Sequence, residues 1–299
     1  MLCALWYPRL EMEDRSSRQT PPSGARFGEG PSNEAYTPRQ MAARVESAGV
    51  LKARLDTSST LALGFLGGAF IGLGADFAAM AVLGMDPTQV PTRLLGALAF
   101  SLGLILVIVG GAELFTGNNL ISMAWASHKI TTGLLLRNWA LVFVGNSLGA
   151  VSTAFAVHLS GQWRLEGGAA GTNAVKLALA KVSLEPGEAF LRGALGNVLV
   201  CLAVWLCFSA RSTADKILSI VFPVTAFVAC GFEHSIANLF LVPLGLFLRD
   251  QVAPMAMTEG LCWTTFLTRN LLPVTAGNIV GGSLFVGGVY WFIYLRPRT

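Results

Sequence analysis

The chain has 299 residues, of which 53% are hydrophobic and 13% charged, against roughly 25% charged in an ordinary soluble domain. That balance excludes a soluble globular protein and points to one embedded in a bilayer, where 33 glycines suit helices whose backbones pack closely. The net charge of +4 is small, and the basic residues are spread along the chain instead of forming a single patch, which argues against nucleic-acid binding.

Residues 1–55 are rich in Arg, Ser, Pro, Gly and Glu and have too little apolar surface to offset the entropy of ordering. They are expected to form a cytosolic, largely disordered tail. Met1 to Trp6 is too short and too poor in preceding basic residues for a secretory signal. Within the tail, Arg39–Arg54 has the pattern of a short amphipathic helix at the membrane surface, with Met41, Val45 and Val50 facing inward.

From residue 56 to 296 apolar runs dominate, and a membrane core of ~30 Å needs ~20 residues per helical crossing. Spans are predicted at residues 61–83, 94–110 continuing brokenly through 117–126, 134–159, 187–208, 217–230 continuing through 236–248, and 266–295. The fold class is therefore an all-α integral membrane protein with six spans, the second and fifth interrupted, and residues 297–299 as a short C-terminus. Basic residues near span ends stay on the cytosolic side. Arg44, Lys52, Arg54, Lys129, Arg137, Arg211, Lys216, Arg296 and Arg298 fall on one side, whereas Arg93, Arg164, Lys176, Lys181 and Arg249 fall on the other. Both termini are placed in the cytosol, and a long loop at residues 160–187 faces outward.

An internal repeat supports this division. Gly111-Ala-Glu-Leu-Phe-Thr-Gly-Asn118 and Gly231-Phe-Glu-His-Ser-Ile-Ala-Asn238 share G-x-E-x-x-x-x-N and sit at the two interruptions. Downstream, Arg137-Asn138 precedes Gly145-Asn146 at the spacing with which Arg269-Asn270 precedes Gly277-Asn278. Three spans per half force the second half to enter from the opposite side. The result is a 3+3 inverted repeat whose broken helices meet near the midplane and form a permeation site.

The polar residues within these runs are the functional candidates. Glu113 and Glu233 must face protein interior, where they are expected to accept hydrogen bonds from N–H groups freed at the breaks. Their duplication favours a structural, bracing role. His234 has Leu114 as its counterpart, and an unduplicated imidazole at a midplane break reads as a pore residue able to donate a hydrogen bond or exchange a proton. Thr116, at the matching break, supplies a hydroxyl to the same space. Asn197, Asn238 and Asn278 either line the pathway or bond neighbouring helices. Asn197 has no partner in the repeat, which favours it for the pathway. Lys181, in a loop with Arg164 and Lys176, is either part of a positive vestibule that concentrates small anions or an ordinary solvated lysine.

No phosphate-binding loop, Rossmann glycine pattern, zinc-type H-E-x-x-H or G-x-S-x-G elbow is present, so no enzyme is indicated. The five cysteines have neither metal-ligand spacing nor the density of a disulfide scaffold and read as packing residues. No metal or cofactor is expected.

The two motifs, with Gly277-Asn-Ile-Val-Gly-Gly282, resemble the formate/nitrite transporter family from about residue 40 to 296. Phe100-Ser-Leu-Gly-Leu-Ile-Leu106 and Asn197-Val-Leu-Val-Cys-Leu-Ala-Val-Trp205 look closest to its formate channels. The resemblance implies an aquaporin-like fold, a homopentamer with one anion pathway per protomer, and a bacterial inner membrane. It implies that His234 is the central pore imidazole with Thr116 its partner, and that Lys181 is the outer-vestibule lysine. Phe100, Leu104, Phe115, Val200 and Phe227 would form two apolar constrictions, and Asn197, Asn238 and Asn278 the buried amides near the path. Formate is the expected substrate, with nitrite, hydrosulfide and short monocarboxylates as alternatives within the family. A neutral-solute pore of the water or glycerol type is the alternative from another class, although the chain lacks the paired Asn-Pro-Ala motifs of those pores. A third reading, a membrane-embedded enzyme subunit, would make His234 and Glu233 a catalytic pair.

Overall fold

A computed structural model of the chain describes residues 34–252 and 258–297. Among the described residues all regular structure is helical. The remainder of the expected N-terminal tail, with Cys3, and the closing Arg298 lie outside them.

Among the described residues five helical runs are long and apolar enough to cross a membrane: α2 (Thr57–Ala81), α3 (Val90–Gly110), α6 (Thr132–Ser160), α8 (Pro186–Cys207) and α11 (Trp263–Tyr294), the last containing two π-helical stretches. The second crossing is broken as expected, but unequally. Its first piece, α3, is 21 residues long, and the second is a short helical run made of α4 (Phe115–Asn118), a 3-10 turn at Asn119–Ile121, and α5 (Ser122–Ala126). The fifth crossing divides into α9 (Thr213–Ala229) and α10 (Ser235–Val252).

Both breaks are made in the same way. Gly111 and Gly231 take positive φ, 81° and 70°, a region that a side chain disfavours. The chain thereby leaves the helix, and after three intervening residues it enters a new one. Gly111 and Ala112 both donate to the Val107 carbonyl, and Phe232 donates to that of Phe227, so the ends of α3 and α9 are capped by their own next residues.

Small residues bring the flanking helices against each break. A Cβ added to Gly67 on α2 or to Gly196 on α8 would overlap the carbonyl oxygen of Glu113 or Glu233 respectively. Gly145 on α6 and Gly277 on α11 meet backbone of α2 and α8 in matching fashion. These contacts pair α2 with α6 and α8 with α11 around the two breaks, the arrangement that the repeat predicts.

Two expectations outside the spans need correction. The outward 160–187 segment is not a simple loop: it contains α7 (Ala169–Val182), whose Ala170, Ala174, Val175, Ala178 and Val182 are buried. Ala at every fourth position lets α7 lie against α10, where Gly245 faces Ala178. Lys181 is thus carried on a helix. Inside the tail, residues 38–53 form α1, capped by Thr37, with Met41 and Val45 buried as expected and Val50 half-buried. Its apolar face packs on protein, against Asn119–Ile121 and α5.

The basic side expected to be cytosolic is contiguous. Lys129 pairs with Glu46 of α1, Arg137 donates to the Leu55 carbonyl, and Tyr36 donates its N–H to Ser209 in the loop between α8 and α9. The end of α11 also packs on α1, so the first and last described residues lie on this same side.

Candidate functional site

The second piece of each broken crossing starts at the centre of the molecule, and there the two halves meet. Thr116, at the start of α4, and His234, immediately before α10, are both buried, and Thr116 Oγ1 lies 2.9 Å from His234 Nε2. The Ala237 N–H donates to His234 Nδ1 at 3.1 Å. Nδ1 is therefore an acceptor, and the neutral ring carries its proton on Nε2, aimed at Thr116. His234 and Thr116, singled out separately in the sequence, are brought together.

The helix starts around this pair are held by asparagines. Asn146 Oδ1 accepts from the Phe115 N–H at 2.8 Å, while its Nδ2 donates to the Gly64 and Glu113 carbonyls. Asn278 repeats the pattern on the other half: Oδ1 accepts from the Ser235 N–H at 3.0 Å, and Nδ2 donates to the Gly193 and Glu233 carbonyls. The freed N–H groups at the breaks are thus taken by amide oxygens and not, as expected, by the two glutamates. An amide serves better, because it satisfies one donor and two acceptors at once without burying a charge.

Glu113 and Glu233 instead form duplicated polar clusters. Glu113 pairs with Lys52 at 3.0 Å and accepts from Asn118 Nδ2, which also bonds Asn138. Glu233 pairs with Lys181 at 2.6 Å and accepts from Asn238 Nδ2, which also bonds Asn270. Asn138 and Asn270 complete the circuits by donating to the Lys52 and Lys181 carbonyls. Burial draws the Lys52 ammonium below the ordinary lysine range, while the charge and hydrogen bond of Glu113 oppose that pull. In the sequence Lys52 reads only as a topology marker. A lysine shortly before the first span is the available signal, but the spacing to Glu113 differs from that between Lys181 and Glu233. Asn118, Asn138, Asn146 and Asn270 stood in the repeat motifs without an assigned role.

Asn197 is fully buried and joins the halves. Its Nδ2 donates to the Asn278 carbonyl at 2.6 Å and Asn119 Oδ1 at 2.7 Å, and lies 3.3 Å from the Thr116 carbonyl. By position against the break its counterpart is Gly68: both follow the glycine that touches a glutamate carbonyl. Cys201, one turn along α8, sits against the same Thr116 carbonyl, and Cys207 is also buried, whereas Cys230 is exposed.

Two cavities approach the Thr116–His234 pair from opposite sides. The outer one, of about 780 Å³, reaches His234 and is walled by Phe100, Phe227, Asn238 and Lys181. Phe100 and Phe227 meet edge to face with centroids 5.6 Å apart, and Phe227 lies 6.0 Å from the imidazole, so both rings line this cavity beside His234. The inner cavity is only about 20 Å³ and is bounded by Lys52, Asn118, Val204 and residues of α1. Leu104, Phe115 and Val200 are buried and line neither cavity. Phe115 packs its ring against Phe143 at 5.0 Å and Trp139 at 6.4 Å. Among the described residues no cluster of three His, Cys, Asp or Glu could hold a metal.

This geometry defines a class: a helical membrane channel built as two inverted halves, with discontinuous helices meeting at a buried imidazole and hydroxyl. Residues 39–292 match the family model described as formate/nitrite transporter, and the chain belongs to that family. It is 43% identical over 271 residues to the formate channel FocA of Escherichia coli K12, covering 87% of this chain and 95% of that one. It is 40% identical to the uncharacterized transporter YrhG of Bacillus subtilis, covering 86% of this chain and 93% of the relative. Among solved structures, a pentameric formate channel with formate bound superposes with a TM-score of 0.75 at 42% identity, covering 80% of this chain and 98% of the other. An ion channel of the same family superposes with a TM-score of 0.74 at 30% identity, over 86% of this chain and 99% of the other.

Proposed function

We propose that this chain is a formate channel of the cell membrane, in which passage of the anion is coupled to protonation at His234. The observation that carries the proposal is the His234–Thr116 pair at the meeting point of the two breaks. A bare carboxylate is expensive to move through an apolar slit such as that between Phe100 and Phe227, whereas its neutral acid crosses at far smaller cost. Protonation therefore accompanies passage, and His234 is the titratable group placed where the path narrows. Thr116 supplies a hydroxyl opposite the ring, able to hydrogen-bond a carboxyl oxygen as the proton moves. Lys181 on the outer wall offers a hydrogen-bond donor near the entrance to the narrow part. Asn197, Asn238 and Asn278 hold the helices that shape the path, and Leu104, Phe115 and Val200 form its apolar seal toward the inner side.

The relatives named above support formate as the substrate and a homopentamer as the assembly. The gathering of Lys52, Arg54, Lys129, Arg137 and Arg211 on one side supports cytosolic termini and an inner-membrane orientation. Nitrite, hydrosulfide and short monocarboxylates are the neighbouring substrates, and a neutral-solute pore is the alternative of different class. Stopped-flow light scattering on vesicles separates these. Swelling in ammonium formate is expected; swelling only in ammonium nitrite would move the assignment within the family, and swelling in glycerol would overturn the anion reading.

A further inference from the structure

We propose that Arg93 and Lys176 are the residues that draw the anion into the outer cavity, that Glu166 opposes them, and that Lys181 contributes little to this attraction. The proposal rests on the anion-channel reading above and names the charges that feed its path. Among the described residues four formally charged side chains line the outer cavity: Arg93, Glu166, Lys176 and Lys181. They differ in what they are paired with.

Lys181 Nζ sits 2.6 Å from Glu233 Oε1, and Glu233 is buried. To an ion several ångströms away, two opposite unit charges so close act as a dipole, whose potential falls with the square of distance. A lone unit charge ~8 Å away in water changes the local concentration of a monovalent anion about two-fold, whereas a pair of this separation changes it at most about 1.3-fold. The ammonium that the sequence marks as an attractor is thus largely cancelled.

Arg93 is cancelled only in part. Its Nη2 donates to the Ala229 carbonyl at the end of α9, where the helix terminus carries about half a negative charge. That bond fixes the guanidinium at the cavity rim with about half of its unit charge uncompensated. Lys176, on α7 about one turn before Lys181, forms no ion pair or side-chain hydrogen bond among the described residues and is exposed on the same wall. Glu166 is likewise without an ion pair among the described residues and is fixed on the rim in the turn before α7, with φ 50° followed by two glycines of positive φ. The unpaired charges on the wall are therefore two cations and one anion, and a low-dielectric cavity focuses their field toward His234.

The test measures initial influx into proteoliposomes against concentration, for both formate and nitrite, at low salt and at about 0.5 M salt, where the Debye length falls to ~4 Å. At low salt, Arg93→Gln and Lys176→Gln should each raise the apparent KM about two-fold, and the double variant about four-fold, with the maximal rate kept. Glu166→Gln should lower the apparent KM, and all these differences should collapse at high salt. Arg93→Lys keeps the charge while losing the fork geometry, and it should restore the wild-type KM, which separates charge from folding. Unchanged KM values at low salt, a shift that survives high salt, or Glu166→Gln moving in the same direction as Arg93→Gln would each overturn the proposal. Uptake of nitrite alone by the wild type would remove the formate assignment while leaving this ranking of charges intact, since the field does not distinguish monovalent anions. Influx of neither anion would overturn both.

Discussion

Thr116 Oγ1 and His234 Nε2 face each other at 2.9 Å although 118 residues separate them and they come from opposite halves of the repeat. The imidazole accepts a backbone N–H at Nδ1, so its one mobile proton is directed at the threonine. Thr116→Val removes the acceptor and leaves that buried N–H unmatched, a loss of about 1–3 kcal/mol. Formate flux in vesicles should fall by roughly ten-fold or more, and Thr116→Ser should recover most of it. Equal flux in the valine and serine variants would show that the hydroxyl has no part in passage.

Each lysine–glutamate pair joins a half-buried lysine to a buried glutamate, and removing the lysine strands the buried carboxylate at a cost of up to about 3–5 kcal/mol. Lys181→Met should therefore lower the thermal midpoint of the purified protein sharply, as should Lys52→Met. Adding Glu233→Gln to the former, or Glu113→Gln to the latter, should recover much of the loss, because the stranded charge is then gone. Thermal melts of single and double variants form a cycle for each pair. Strictly additive losses would mean that the pairs are not coupled.

The break geometry depends on glycines that touch it. Gly67→Ala and Gly196→Ala force a Cβ onto the Glu113 and Glu233 carbonyl oxygens, where backbone cannot yield cheaply. Both variants should lose folded protein on size-exclusion chromatography. Gly187→Ala, in the first turn of α8 with open space around it, is the control and should be neutral or stabilising by up to about 1 kcal/mol. Normal yields of Gly67→Ala would contradict the close helix contact.

Much of the scaffold was legible in the sequence because its signals are local or duplicated. Apolar runs of sufficient length marked the crossings, and G-x-E-x-x-x-x-N occurring twice marked both breaks. Leu114 standing where His234 stands in the other half separated the imidazole from the bracing residues. What was not legible depends on contacts distant in the chain. That Asn146 and Asn278, and not the glutamates, cap the broken helices follows from α6 and α11 packing against the breaks. Lys52 joins Glu113 only because α1 folds under the inner end of the second crossing, and an isolated lysine near a span start looks like any topology marker. The helix carrying Lys181 was hidden for a related reason: it is too short and too mixed in composition to be a span, and its alanine face shows its purpose only against Gly245 of α10.

The proton is the central claim, and it is tested most directly by following formate and protons together. Proteoliposomes containing a pH-sensitive dye, given an inward formate gradient, should acidify inside as formate enters, with no accompanying membrane current. His234→Phe, purified and eluting as the wild type does, should abolish that proton-coupled uptake. Proton-coupled, electroneutral formate entry retained in His234→Phe would contradict the account.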